Sequence, residues 1–184
     1  MIEQVDFAIL DWIQAHLKCG FLDFLMPKVT LFAEHGIFFI AVGVILLIFR
    51  SKRRCGITLL SGMAGGYLIA NMIIKKVVAR PRPFSINTAI ELIVSAPKDF
   101  SFPSGHTLNA FIAATILMYF DKRLGIPALV IAVLVAFSRM YLYVHYPSDV
   151  FAAVIMGIAF GIAAIVISNL ISKKWKERKT VKTE

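Results

Sequence analysis

Two of the chain's four histidines sit among residues able to do phosphate chemistry. His106 ends the stretch "FPSGH", at the mouth of an apolar run that closes at Phe120. His145 lies in "SRMYLYVHYPSDV", between Arg139 and Asp149. A third stretch, "KKVVARPRPF", crowds Lys75, Lys76, Arg80 and Arg82 together. Three or more cations suit a phosphate, because guanidinium offers paired donors to its oxygens and ammonium a compact charge. A helix opening around Pro103, Ser104 and Gly105 presents backbone amides that no helix bond uses, and Gly105 lets an oxyanion come close to them. His106 falls in that first turn, where it can face a bound phosphate. Pro147 suits the first position of another helix, which puts Asp149 in its first turn, leaning back toward His145. A carboxylate bonded to one imidazole nitrogen fixes the tautomer and leaves the other nitrogen free to attack.

Each cluster alone has a plainer explanation. Cations at helix ends snorkel to headgroups, Ser and Gly cap helices, and Tyr141, Tyr143 and Tyr146 look like an aromatic belt. Lys76 and Arg80 keep the headgroup reading. The argument for a site is convergence, and convergence depends on how the chain is arranged.

Of 184 residues, 59% are hydrophobic and only 17% charged, too little polar surface for a soluble domain of this size. The net charge of +9 argues for membrane topology rather than nucleic acid, because its clusters cap apolar runs. These clusters are Arg50 to Arg54, Lys122 with Arg123, and the tail. Apolar runs of spanning quality cover about Leu31 to Phe49, Gly56 to Val78, Pro103 to Phe120, Gly125 to Tyr143 and Pro147 to Ile171. Glu34 and His35 mark the outer interface of the first. The chain therefore reads as one all-α domain, 1–184, an integral membrane bundle of five transmembrane helices. A sixth span through Phe21 to Ala33 is the alternative.

With the basic clusters inside, the Val78–Pro103 loop and the Tyr143–Pro147 turn fall outside, so the three chemical clusters share one face. The basic tail, 173–184, is then cytoplasmic. The acid-rich segment 1–30 is expected to hold an amphipathic interfacial helix with Val5, Ile9, Trp12 and Ile13 on its apolar stripe and Asp6 and Asp11 off it. No cleaved signal peptide is expected. Cys19 and Cys55 fall on opposite sides and should not pair. Gly62–Gly66 and Gly157–Gly161 each match G-x-x-x-G, expected to serve close packing within the chain.

Lys75-x6-Arg82-Pro83, Pro103-Ser104-Gly105-His106 and Ser138-Arg139-x5-His145-x3-Asp149 resemble the three signatures of the type 2 phosphatidic acid phosphatase (PAP2) superfamily. The resemblance covers about Ile57 to Ile171 and implies a membrane lipid phosphatase with its site at the extracytoplasmic face. It implies His145 as nucleophile forming a phosphohistidine, Asp149 as its orienting carboxylate and His106 as general acid, then base. Lys75, Arg82, Ser104, Gly105 and Arg139 would hold the phosphate. It requires no metal or other cofactor, and the implied partners are a lipid phosphate or diphosphate and the bilayer, not nucleic acid. Monomer and dimer both stay open. The compact chain and its motif variants look most like small bacterial undecaprenyl diphosphate phosphatases. Phosphatidylglycerophosphate, phosphatidate and lipid A phosphatases share the implied residues, and lipid phosphotransfer or a non-catalytic membrane role remain further alternatives. The Phe84–Phe102 loop, with "TAIELIV" as a short amphipathic gate, is expected to tune the substrate.

Overall fold

The computed structural model describes residues 2–181, apart from the side chains of residues 35 and 176–181. Among the described residues the regular structure is entirely helical. Helices α1 (Ile2–His16) and α2 (Gly20–Phe32) are followed by a 3-10 turn (Glu34–Gly36) and α3 (Ile37–Ile48). Helix α4 (Arg53–Gly66) runs into a π-helical segment (Tyr67–Ile74) and a last turn, α5 (Lys75–Val78). Then come α6 (Pro83–Ile86), α7 (Gly105–Phe120), α8 (Lys122–Tyr141) and α9 (Pro147–Val181).

Helix α7 is apolar around its whole circumference, so it belongs inside. It buries ten residues between Thr107 and Leu117, packed among α4, α8 and α9. Glycines let the neighbours come close: Gly62 and Gly66 face Ile112 and Ile116, while Gly157 and Gly161 face the stretch from Leu108 to Thr115. Both G-x-x-x-G pairs are therefore used within the chain, as expected. The outer faces carry exposed Ile40, Val44 and Ile48 on α3, Val130 and Val133 on α8, and Ile155, Ile162 and Val166 on α9. Apolar surface on that scale calls for lipid around it. At the bundle end away from the three motifs, Lys52 pairs with Asp121 at 2.5 Å and Arg54 Nε donates to Ser168 Oγ at 3.2 Å. Those contacts bring the basic clusters of 50–54 and 122–123 together at one end.

The spans differ from the expected five or six. Three described helices are long and apolar enough to cross a membrane: Arg53–Ile86, Lys122–Tyr141 and Pro147–Trp175. A fourth arises if α2 and α3, bent by 45°, form one span. The run from Leu31 is broken because Gly36 adopts the left-handed conformation, φ 71°, and α3 starts only at Ile37. The alternative span through Phe21 to Ala33 is helix α2. The third run begins at Gly105, not Pro103, and its 16 residues reach about 24 Å, short of a roughly 30 Å hydrocarbon core. Protein, rather than lipid, covers most of it. The side chain of His35 and most of the basic tail, including residues 182–184, lie outside the described residues, although the α9 backbone continues to Val181.

Helix α1 forms as expected and turns most of its apolar stripe outward, Ile13 excepted. It buries Asp6, Leu10 and Ile13, and leaves Val5, Ile9 and Trp12 exposed. The acids of 1–30 are hydrogen-bond acceptors for the 141–148 segment. Tyr141 Oη donates to Asp23 and Tyr143 Oη to Asp11, both at 2.7 Å, and Ser148 N donates to Asp6 at 2.9 Å. Tyr141 and Tyr143 are consequently buried, and Tyr146 is buried beside Phe7 and Arg80, so the three do not form a belt. The "TAIELIV" stretch is irregular, a turn followed by bends over residues 88–94, with Ile90, Leu92 and Val94 packed inward against this tyrosine segment. Cys19 and Cys55 are free thiols, as expected.

The glycine packing is testable by thermal unfolding in detergent. A Cβ on Gly157 would fall 2.8 Å from the Leu108 carbonyl oxygen, whereas one on Gly65 meets open space. Gly157→Ala should destabilise by about 1–3 kcal/mol through overpacking. Gly65→Ala should be neutral or stabilise by up to about 1 kcal/mol, because it removes a helix-interior glycine.

Candidate active site

A cavity of about 790 Å³ opens where α2, the π segment, the start of α7 and the end of α8 meet. Six of the eight sequence-derived residues line it: Lys75, Arg82, Gly105, His106, Arg139 and His145. The other two stand behind the wall. Ser104 is fully buried as the N-cap of α7 and bonds Thr107 Oγ1 at 2.9 Å, and Asp149 is fully buried behind His145.

Local structure explains this placement. The π segment immediately precedes Lys75, and π geometry inside an α-helix commonly accompanies functional sites. Lys75 is thereby buried, 7% exposed, facing the cavity instead of snorkelling away. Ala79 then turns the chain with a left-handed φ of 48°, a strained conformation for alanine that delivers Arg80 and Arg82 to the same region. Gly105 opens α7 against Asn71; a Cβ there would sit 2.8 Å from Asn71 Oδ1. The glycine thus keeps the first-turn amides of α7 at the cavity wall. Pro147 starts α9 as expected, and Asp149 reaches back to accept from Tyr146 N at 3.1 Å.

His145 is 1% exposed. Arg82 Nη1 lies 3.2 Å from its Nε2, and a guanidinium can only donate, so Nε2 carries the lone pair and Nδ1 the proton. The expected direct bond to Asp149 is absent: Nδ1 to Oδ2 is 3.7 Å, beyond hydrogen-bonding range. Ser101 fills the gap, with its Oγ 3.4 Å from Nδ1 and 2.5 Å from Asp149 Oδ2. Burial pushes the His145 pKa well below its ordinary 6.5, and the charges of Arg82, Arg139, Lys75 and His106 push the same way. The ring is held neutral, as a nucleophile requires.

Arg80 is not a headgroup contact. Its Nη1 donates to Asp149 Oδ1 at 2.6 Å and its Nη2 to Asp6 Oδ2 at 2.8 Å, with the guanidinium 3.8 Å from the Tyr146 ring centroid. Lys76 remains exposed at the cavity rim.

Two cavity cations share one carboxylate. Lys75 Nζ and Arg82 Nη2 each donate to Asp99 at 2.6 Å, and Arg82 Nε donates to the Asp99 carbonyl at 2.8 Å. Burial alone would raise the Asp99 pKa, but the Lys75 bond and the Arg82 charge hold it well below the carboxylate range. Arg139, 4% exposed, donates from Nη1 to Thr30 Oγ1 at 2.6 Å, while its Nε has no hydrogen-bond partner among the described residues. Among those residues no three His, Cys, Asp or Glu side chains gather as a metal site.

Motif spacing missed Thr30, Arg80, Asp99 and Ser101. Only Arg80 left a signal, as a second arginine in "RPRP"; the others become visible when distant segments meet.

Residues 55–173 match the PAP2 superfamily. Over 119 residues the chain is 38% identical to an undecaprenyl-diphosphatase of Sulfolobus acidocaldarius, covering 64% of this chain and 57% of that one. It is 34% identical over 112 residues to undecaprenyl-diphosphatase BcrC of Bacillus subtilis, covering 61% and 56%. The aligned chain thus spans less than two thirds of either relative's length. The fold superposes with a TM-score of 0.75 on the crystal structure of a transmembrane PAP2-type phosphatidylglycerolphosphate phosphatase from Bacillus subtilis. That match has 26% identity and covers 92% of this chain and 87% of that one. The matched segment contains all three motifs, whose side chains meet at one cavity in a shared fold: this chain belongs to the PAP2 superfamily.

Proposed function

We propose that the protein is a membrane lipid phosphatase that transfers a terminal phosphoryl group to His145 and then to water. The observation that carries this reading is the His145 Nε2 lone pair, held neutral beside Lys75, Arg82 and Arg139 in the cavity that His106 also lines. Nε2 attacks phosphorus while the bond to the leaving oxygen breaks. His106 gives that oxygen its proton. In the second step His106 takes a proton from water, the water oxygen bonds to phosphorus, and the P–N bond returns its electrons to Nε2. Lys75, Arg82, Arg139 and the Gly105 amide stabilise the equatorial oxygens. Ser104 acts through the opening of α7, and Asp149 acts on the imidazole through Ser101. All the chemistry is assigned to protein side chains, so no cofactor is needed.

Undecaprenyl diphosphate is the proposed substrate, yielding undecaprenyl phosphate. The two named diphosphatases support it, since each matches more than 60% of this chain at 34% identity or more. The likeness to a phosphatidylglycerolphosphate phosphatase over 92% of the chain supports phosphatidylglycerophosphate as a second reading. The basic clusters at the opposite bundle end support a cavity at the extracytoplasmic face and a cytoplasmic C-terminus.

Phosphate release by purified protein from a panel of these lipids tests the reading. His145→Ala should lower release by roughly a thousandfold or more, because a nucleophile cannot be substituted by its neighbours. Wild-type turnover should persist with a chelator present. Substantial activity in His145→Ala, or dependence on added metal, would overturn the mechanism. The pH profile offers a second check. Protonated Nε2 cannot attack, and its folded pKa is depressed, so the acid limb of kcat/KM should lie below pH 6.5. An acid limb above that value would contradict a neutral His145.

A further inference from the structure

Among the described residues, Asp99 bonds two of the three cavity cations, Lys75 and Arg82, and is half open to solvent. Its side chain is 56% exposed, whereas that of Asp149 is fully buried and that of Asp6 only 4% exposed. Asp149 and Asp6 are committed to buried bonds whose loss would be costly. The Asp99 end of each pair is solvated while Lys75 and Arg82 are buried, so the carboxylate leaves at low cost only when another anion takes its place on the two cations. Asp99 is also not needed to anchor its own loop. Its carbonyl already accepts from Arg82 Nε at 2.8 Å, and Ser101 N donates to the Arg80 carbonyl at 2.8 Å. The carboxylate is thus a negative group on a tethered backbone, free to leave Lys75 and Arg82 without releasing the loop.

We propose that Asp99 is a built-in competing anion, which contests Lys75 and Arg82 with phosphate and so drives release of the inorganic phosphate product. This rests on the phosphatase reading above. Lipid phosphatases of this kind face a chemical difficulty: the product carries the same phosphate group that the site binds in the substrate. Three cations that grip the substrate's phosphate grip orthophosphate as well, and tight ground-state binding adds nothing to kcat. Product release then limits turnover. A carboxylate on the same chain competes at a high effective concentration, in the millimolar range or above for a short tether.

The order of exchange follows from the third cation. Arg139 is buried and its Nε has no partner among the described residues, so it offers a first foothold to an arriving phosphate while Asp99 still bonds Lys75 and Arg82. Phosphate then takes the remaining donors as the carboxylate swings to solvent. On departure the steps reverse: Asp99 recaptures Lys75 and Arg82 one bond at a time, and the product leaves from Arg139. No covalent step is involved.

Orthophosphate binding by isothermal titration calorimetry in detergent, beside steady-state kinetics on the lipid, tests the proposal with wild type, Asp99→Asn and Asp99→Glu. Asparagine keeps the shape and removes the charge. Asp99→Asn should bind orthophosphate about tenfold more tightly, since an internal competitor no longer occupies the site. Its KM should fall in parallel and its kcat should fall as well, because orthophosphate then leaves the three cations more slowly. Asp99→Glu should restore weaker phosphate binding. Equal or weaker phosphate binding by Asp99→Asn, with a raised KM, would overturn the proposal and make Asp99 an orienting partner of the two cations. If Asp99→Asn binds phosphate more tightly but wild type hydrolyses none of the lipids, the phosphatase reading fails and the competing anion stands. No phosphate binding by any of the three proteins would overturn both.

Discussion

Everything at the working end of this bundle depends on keeping three cations charged where little water reaches them. Lys75, Arg82 and Arg139 are each at most 7% exposed, and all three line one cavity. Like charges repel strongly where solvent screening is poor. The protein surrounds them with acceptors drawn from separate segments: Asp99, the Val144 carbonyl and Thr30. A phosphate suits that environment for the same electrostatic reason that makes it costly without one. Burial first, and the same charges beside it, disfavour protonation of the His145 imidazole, so the cations proposed to hold phosphate also prepare the proposed nucleophile.

A second charge arrangement supports the first from behind. Arg80 lies between Asp149 and Asp6, binding both, and Asp6 also accepts from Ser148 N. The turn that carries His145 is thus gripped by α1, a helix with no motif of its own. Asp11 and Asp23 extend the grip to Tyr143 and Tyr141. With Asp6 facing the protein, α1 leaves Val5, Ile9 and Trp12 on its outer side, where an apolar stripe suits the bilayer interface. One helix therefore turns an apolar face outward and steadies the histidine turn with the other.

Precision at the cavity also rests on α7. Glycines on α4 and α9 bring their backbones close to it, and this fixes the height at which Gly105 and His106 emerge. Its shortness as a span is tolerable because neighbouring helices, not lipid, cover its flanks.

The all-α membrane character, the three motifs, the helix starts near Gly105 and at Pro147, and the inward use of both glycine pairs were legible in the sequence. Each depends on residue type and short-range spacing, and helix geometry converts such spacing into a shared face. What tertiary structure decided lies between residues far apart in the chain, such as Asp6 and Ser148, separated by 142 positions. Ser101 between His145 and Asp149, Asp99 across Lys75 and Arg82, and Thr30 on Arg139 have no local signature. The inward face of α1 is hidden for the same reason, since the partners of Asp6 lie far along the chain. The π segment before Lys75 is equally hidden, because apolar residues populate both helix types and only the packed neighbours select the wider turn. Sequence alone determined which side chains are available for phosphate chemistry. Tertiary packing decided their partners, because the burial and charge that tune each group come from segments that meet only in the folded chain.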